Sequence, residues 1–279
     1  MTQPIDQGRP AQGAATMPSA ETRLPISGFI IAKNEADRIS RAILSMRDWV
    51  DEVIVVDSGS TDGTMEVSTT LGARAVFNAW EGYGPQKVFA ENLCRNKWLL
   101  NLDADEEITP ELAAEIKELF HAGEPDIKMF DVCLVELRPY EAVPNRRPLR
   151  KVVTRLYHRD YAGYRPSPVH DSVVPKVQTR SQTFKHPVWH RSLRSHQHTI
   201  EKINSYTSMQ AEDLFRKGRN FGALYVLFTP LLAFIRAYFL RGYMFYGLEG
   251  LIDAYIFAFS RTLRVAKTRE RFRMARKQN

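Results

Sequence analysis

The chain has 279 residues, 44% of them hydrophobic and 25% charged, with a formal net charge of +7. That balance fits one large domain or two small ones and excludes a collagen-like, wholly disordered or polytopic membrane protein. Its two cysteines, Cys94 and Cys133, exclude a disulfide-framed scaffold and a Cys-rich zinc pattern.

Residues 1–24 are rich in Pro, Gln, Ala, Gly and Thr and hold almost no large apolar side chains, so they predict a disordered tail. With no apolar h-region they do not read as a signal peptide, and Met17 is an alternative start. The run 26–32 predicts a buried strand. Asn34 then predicts an N-cap, with Ile39, Ile43 and Met46 on one face of a helix. Val53-Ile54-Val55-Val56 is apolar without alternation, as in a parallel sheet covered on both faces. The polar turn 57–64 leads to a short helix ending near Leu71, and a strand at 73–77 follows. Residues 85–95 predict a helix and 98–102 a strand that stops at Asp103. Thr109-Pro110 predicts a helix start with Pro at the first helical position, running to about Phe120. Strand and helix alternate, so the fold class is α/β with a mostly parallel sheet. Residues 126–190 are less regular, with candidate strands near 129–137, 152–157 and 183–189. From Thr199 helical periodicity returns. The uncharged run 221–235 contains Pro230 and is shorter than the roughly 20 apolar residues of a spanning helix. The region 199–279 therefore predicts amphipathic helices lying on a membrane surface and ending in a basic tail.

Charge is uneven along the chain. From Arg261 onward eight basic residues face one acid, Glu270. A second basic run extends from Arg138 to Arg165. Such clusters attract anionic membranes, nucleic acids or phosphorylated substrates. Arg155 and Arg159, in the second run, are candidates for binding an anionic acceptor.

Ligands of open α/β sheets bind at the carboxyl ends of strands. Three polar clusters stand at such ends: Asn34-Glu35, Asp57 with Gly59 and Ser60, and Asp103-Ala104-Asp105-Glu106-Glu107. Four acids within five positions repel one another unless a cation neutralises them. Mg²⁺ suits such oxygen ligands and shares its shell with substrate phosphates. Glu106 and Glu107 are read separately, as acids favouring the N-terminus of the helix that begins near Thr109. The pairs His186/His190 and His196/His198 have metal-compatible spacing but no accompanying Cys, and no zinc site is expected.

The motifs Ile31-Ala32-Lys33-Asn34-Glu35, Asp51 through Thr64, and Leu102-Asp103-Ala104-Asp105-Glu106 resemble family 2 glycosyltransferases of the GT-A fold. The similarity covers roughly residues 25–270 and is nearest the lipopolysaccharide core β-glucosyltransferases. It implies a glycosyltransferase domain over 25–198. Asn34, Glu35, Asp57, Gly59, Ser60, Lys87 and Asp103 would bind a UDP-sugar donor, with Glu35 and Asp57 toward uracil and ribose. Asp105 would ligate Mn²⁺ or Mg²⁺ in a DxD motif. Asp171, in Val169-His170-Asp171, matches a catalytic acid residue that is often Glu in this subgroup. His170 and His190 match positions on the acceptor side. The implied activity is inverting transfer of a hexose, with glucose expected, to a lipopolysaccharide inner-core acceptor at the cytoplasmic face of the bacterial inner membrane. A polyprenyl-phosphate or other glycolipid acceptor is the alternative within this chemistry. A nucleotidyltransferase would need a Gly/Arg/Lys-rich loop where Ala32-Lys33-Asn34-Glu35 stands. A non-catalytic nucleic-acid binder would leave the carboxylate cluster without a role.

Overall fold

A computed structural model describes residues 23–138, 141, 144–145, 148–167 and 172–278. The first strands are β1 (Leu24–Ala32), β2 (Val50–Asp57), β3 (Arg74–Phe77) and β4 (Trp98–Asp103). Between them run α1 (Ile39–Leu44), α2 (Thr64–Thr70) and α3 (Tyr83–Leu93). These four strands lie in the order β3-β2-β1-β4 and are all parallel. The uninterrupted apolar run of β2 follows from burial on both faces. Val53 and Val55 point into one core with Ile26, Ile30, Ile43 and Met46, while Ile54 and Val56 point into another with Phe29, Ala90 and Leu99.

After β4 come β5 (Glu106–Ile108), α4 (Pro110–His121), β6 (Met129–Glu136) and β7 (Arg150–His158). Thr109 caps α4, its hydroxyl accepting from the Leu112 amide at 3.2 Å, and Pro110 occupies the first helical position. Then follow β8 (Ala162–Tyr164), β9 (Val173–Pro175), β10 (Ser181–Thr183) and β11 (Val188–His190). The predicted 183–189 strand is thus two short strands. β7 runs antiparallel to β4, β6 antiparallel to β7, and β11 joins β6 in parallel and β5 antiparallel. β8 and β9 form a separate two-stranded ribbon.

The remaining chain is helical: α5 (His196–Arg216), α6 (Ala223–Ile235) and α7 (Gly247–Gln278). A π-helical turn (Arg236–Leu240) continues α6 directly. The apolar stretch is therefore longer than its uncharged core: Ala223–Leu240 makes 18 residues, long and apolar enough to cross a membrane, and mostly exposed. α7 returns antiparallel along α6. Phe234 meets Tyr255 at 4.9 Å between ring centroids, and Arg269 donates to the Phe221 carbonyl. The basic run reaches this region through Arg138, which pairs with Asp253 of α7.

Candidate active site

The parallel strands β1, β2 and β4 end together, and their polar clusters meet there. Asn34 does not cap a helix. Helix α1 starts five residues later with Arg38 before it and no side-chain cap. Asn34 instead adopts a left-handed backbone, φ 56°, which Asn tolerates better than most side chains. Its Oδ1 accepts from the Thr61 amide at 2.9 Å, and its own amide donates to the Ser60 hydroxyl at 2.8 Å. The next two amides donate likewise: Glu35 to the Thr64 hydroxyl at 2.9 Å and Ala36 to Asp62 at 3.1 Å. The two loops therefore hold each other. Asp57 Oδ2 accepts from the amides of Gly59 and Ser60, both at 2.8 Å, and Oδ1 from the Ser60 hydroxyl. Gly59 sits at φ 96°, which a side chain would strain. Asp57 is buried in this turn. The Glu35 carboxylate is held by Arg38 and, at 2.6 Å, by Arg194.

The carboxylate cluster is neutralised from within the chain. Asp103 Oδ1 accepts from Lys87 Nζ of α3 and Oδ2 from Arg155 Nη2 of β7, each at 2.8 Å. Lys87, expected near the donor, is fully buried and also lies over the Tyr164 ring. Burial pushes the Asp103 pKa up, but Arg155 and Lys87 outweigh it and hold the carboxyl well below the ordinary range. Glu106 does not serve a helix N-terminus. It opens β5, is fully buried, pairs with Arg155 and accepts from the Asp103 amide at 3.2 Å. Burial raises its pKa in spite of Arg155. Glu107 faces Arg191 at 3.4 Å.

Asp105 has a different setting. His190 Nε2 lies 3.6 Å and Arg38 Nη1 3.5 Å from its Oδ2. The other His190 nitrogen, Nδ1, is 2.9 Å from Glu136 Oε2, and the Ser192 hydroxyl donates to the same Glu136 carboxylate. Burial alone would lower the His190 pKa. Asp105 and Glu136 reverse that and raise it to about 10, so the ring is an imidazolium at neutral pH. Burial raises the Asp105 pKa, and His190 with Arg38 brings it below the ordinary value.

Two candidates of the acceptor side stand elsewhere than expected. Arg155 is buried inside the carboxylate network and does not face solvent. Arg159 lies at the opposite end of the sheet, because β7 runs against β4 and pairs His158 with Trp98. There it donates to the carbonyls of Cys94, at 2.9 Å, and Glu91, closing the C-terminus of α3. Asp171 and His170 lie outside the described residues, as do Arg146 and Arg147 of the basic run. The segment before Asp171 is visible against α3: the Gly84 amide donates to the Ser167 carbonyl at 3.1 Å. A Cβ on Gly84 would stand 2.2 Å from the Arg165 carbonyl oxygen. Sequence reasoning missed Arg38, Glu136, Arg191 and Arg194. Arg191 directly follows His190, Arg194 stands four residues after it and Arg38 three residues after Glu35, so proximity to named candidates was the only signal for these three.

Among the described residues no trio of His, Cys, Asp and Glu is placed to form a metal cage. A divalent ion that takes part of its shell from substrate phosphates needs fewer protein ligands. Asp103 is poorly suited, because both its oxygens accept from cations. Asp105 fits such a role better, because His190 and Arg38 stand 3.6 and 3.5 Å from one and the same oxygen, Oδ2.

A family model described as glycosyl transferase family 2 matches residues 27–186. A Rickettsia bellii protein described as an uncharacterized glycosyltransferase is 40% identical over 258 residues, covering 88% of this chain and 86% of its own. The lipopolysaccharide core biosynthesis glycosyltransferase LpsC of Rhizobium meliloti is 31% identical over 271 residues, covering 92% of this chain and 96% of its own. The glucosyl-3-phosphoglycerate synthase of Mycobacterium tuberculosis, solved with Mn²⁺ and UDP-glucose, is 25% identical with a TM-score of 0.32. That match covers 40% of this chain and 43% of the synthase.

Proposed function

The chain belongs to glycosyltransferase family 2 and has its GT-A fold, and on that premise we propose that it transfers a hexose, with glucose the expected sugar, from a UDP-sugar to a lipopolysaccharide inner-core acceptor with inversion at the anomeric carbon. The observation that carries this is the pair Asp103 and Asp105 at the end of β4, ringed by Lys87, Arg155, Arg38 and His190. A site of fixed opposite charges beside the ends of β1 and β2 suits a nucleoside diphosphate. The acceptor class draws on the LpsC relative, whose name assigns it to lipopolysaccharide core biosynthesis.

The chemistry is a direct displacement. The acceptor hydroxyl attacks the anomeric carbon, the bond to the diphosphate breaks, and the hydroxyl proton passes to a base. Asp171 is that base. The segment before it runs past Gly84 of α3, the helix that carries Lys87. Lys87 and Arg155 keep Asp103 ionised and fixed. Asn34, Asp57, Gly59 and Ser60 shape the floor toward the nucleoside. Mn²⁺ or Mg²⁺, held by Asp105 and the substrate phosphates, would offset the charge that grows on departing UDP, and the His190 imidazolium beside Asp105 would add positive charge there.

The protein works at the cytoplasmic face of the inner membrane, with α6 lying along the surface. α7 runs beside α6 and carries Glu249, Asp253, Arg261 and Arg264, so the helix pair as a unit is too charged for the hydrocarbon core.

Calorimetric titration with UDP, in Mn²⁺ and then in EDTA, tests the donor site. Transfer from UDP-glucose to a truncated core lipopolysaccharide, with the product's anomeric configuration read by NMR, tests the reaction. Metal-dependent UDP binding and a β-linked product are expected. An α-linked product, or folded protein that binds no UDP under either condition, overturns the proposal.

A further inference from the structure

Between α6 and α7 lies a groove of about 490 Å³ that is remote in sequence from every residue assigned above. Four arginines line it: Arg236 and Arg241 from the end of α6 and the turn after it, Arg261 and Arg264 from α7. Phe257 stands between two of them, with the Arg241 and Arg261 guanidinium carbons 4.9 and 4.7 Å from its ring centroid. No carboxylate lines the groove. Among the described residues none of the four arginines makes an ion pair, and the buried Arg264 Nε has no hydrogen-bond partner. Other arginines of this chain behave differently: Arg138 pairs with Asp253, Arg194 with Glu35 and Asp37, and Arg271 with Glu212. Four guanidinium groups facing one another without an acid repel. Burial, then Arg264, Arg241 and Arg236, accordingly lower the Arg261 pKa. An anion with several acceptor oxygens would relieve the repulsion, and the guanidinium fork matches phosphate geometry.

The walls indicate which phosphate. Phe228 and Leu232 of α6 line the same groove, and Leu224, Leu227 and Leu231 extend an exposed apolar strip from it, with Leu224 72% exposed. A free anion has no use for that strip, whereas acyl chains do. We infer that this groove is a binding site for the phosphate headgroup of an anionic membrane phospholipid, with the acyl chains lying along α6. This rests on the membrane-surface part of the proposed function and is independent of donor and acceptor sugars.

The test is flotation of the full chain with phosphatidylcholine vesicles and with vesicles containing phosphatidylglycerol. The variants are Arg261→Gln/Arg264→Gln, Arg236→Gln/Arg241→Gln, and a charge-matched control, Arg273→Gln/Arg276→Gln, in the exposed tail. Circular dichroism and UDP binding report folding of each. The expected result is preferential binding to the anionic vesicles, weakened by either groove pair roughly tenfold more than by the control. Equal losses in groove and control variants mean general surface electrostatics and overturn the site while leaving membrane association intact. Wild-type protein that floats with neither vesicle overturns both. Titration with inorganic phosphate separates the sources: saturable phosphate binding that the groove variants lose, without a vesicle preference, assigns the groove to a soluble anion and overturns the lipid.

Discussion

Lys87 Nζ donates to Asp103 Oδ1 at 2.8 Å, joining the middle of α3 to the last residue of β4. Lys87 is fully buried and Arg155 nearly so; together they balance Asp103, whose side chain is 33% exposed, and Arg155 also balances the fully buried Glu106. Removing either cation strands negative charge in the interior. Lys87→Met and Arg155→Met should each lower unfolding free energy by about 3–5 kcal/mol, read from urea denaturation. Adding Asp103→Asn to Lys87→Met should recover part of the loss. Single variants as stable as wild type would mean that the charges are solvated.

His190 gives stability a pH dependence with a defined sign. Its pKa rises from 6.5 to about 10 on folding. The folded state therefore holds the proton more tightly, and this contribution is complete below pH 6.5 and disappears as pH rises through 10. In metal-free buffer the stability gap between wild type and His190→Gln should narrow steadily from pH 7 to 10. A gap that stays constant over that range would remove the imidazolium from the Asp105–Glu136 bridge.

Gly84→Ala tests the path toward Asp171. The new methyl would meet the Arg165 and Ser167 carbonyl oxygens at 2.2 and 2.5 Å, and backbone cannot swing aside as a side chain can. A loss of about 1–3 kcal/mol is expected from such overpacking, together with a fall in kcat at unchanged UDP affinity. Unaltered turnover would separate segment 165–167 from catalysis.

Two substitutions divide metal from base. Asp105→Ala should abolish the Mn²⁺ dependence of UDP binding. Asp171→Asn should bind UDP as wild type does and lose transfer by about 10²–10⁴-fold. Near wild-type transfer by Asp171→Asn would move the base to another residue.

Burial raises the Cys94 thiol to about 12, with Glu52 adding to the effect. In a Cys133→Ser background the native protein should resist thiol reagents at pH 8 and react after urea unfolding, as mass spectrometry would read. Prompt native labelling would mean that the base of α3 opens readily.

Much of this architecture is visible in the residues. The apolar runs of β1, β2 and β4, the Thr109-Pro110 start of α4 and the acidic cluster at the end of β4 are local signals, and each appears where its pattern indicates. What escaped depends on residues brought together from far along the chain. Nothing near Glu106 says that Arg155 will neutralise it, because that contact needs β7 to lie antiparallel beside β4. The same reversal sends Arg155 into the site and Arg159 to the far end of the sheet, though the two are four positions apart. The crowding of the acids calls for positive charge, and Lys87, Arg155, Arg38 and His190 supply part of it from distant positions. Asn34 has a side chain suited to a helix cap, but α1 begins later, after Arg38. The partner of Asn34 is the Thr61 amide across the cleft.

The interlocked loops at residues 34–36 and 57–64 bear on how a ligand would be received. Their amides at Asn34, Glu35, Ala36, Gly59, Ser60 and Thr61 all have side-chain acceptors within the pair. A nucleotide bound there, as proposed, would meet a floor already ordered by folding, so little ordering would be left to oppose binding. The same economy makes the floor unforgiving. Ser60→Ala removes both the acceptor for the Asn34 amide and a donor to Asp57, so one small change loosens the two strand ends together.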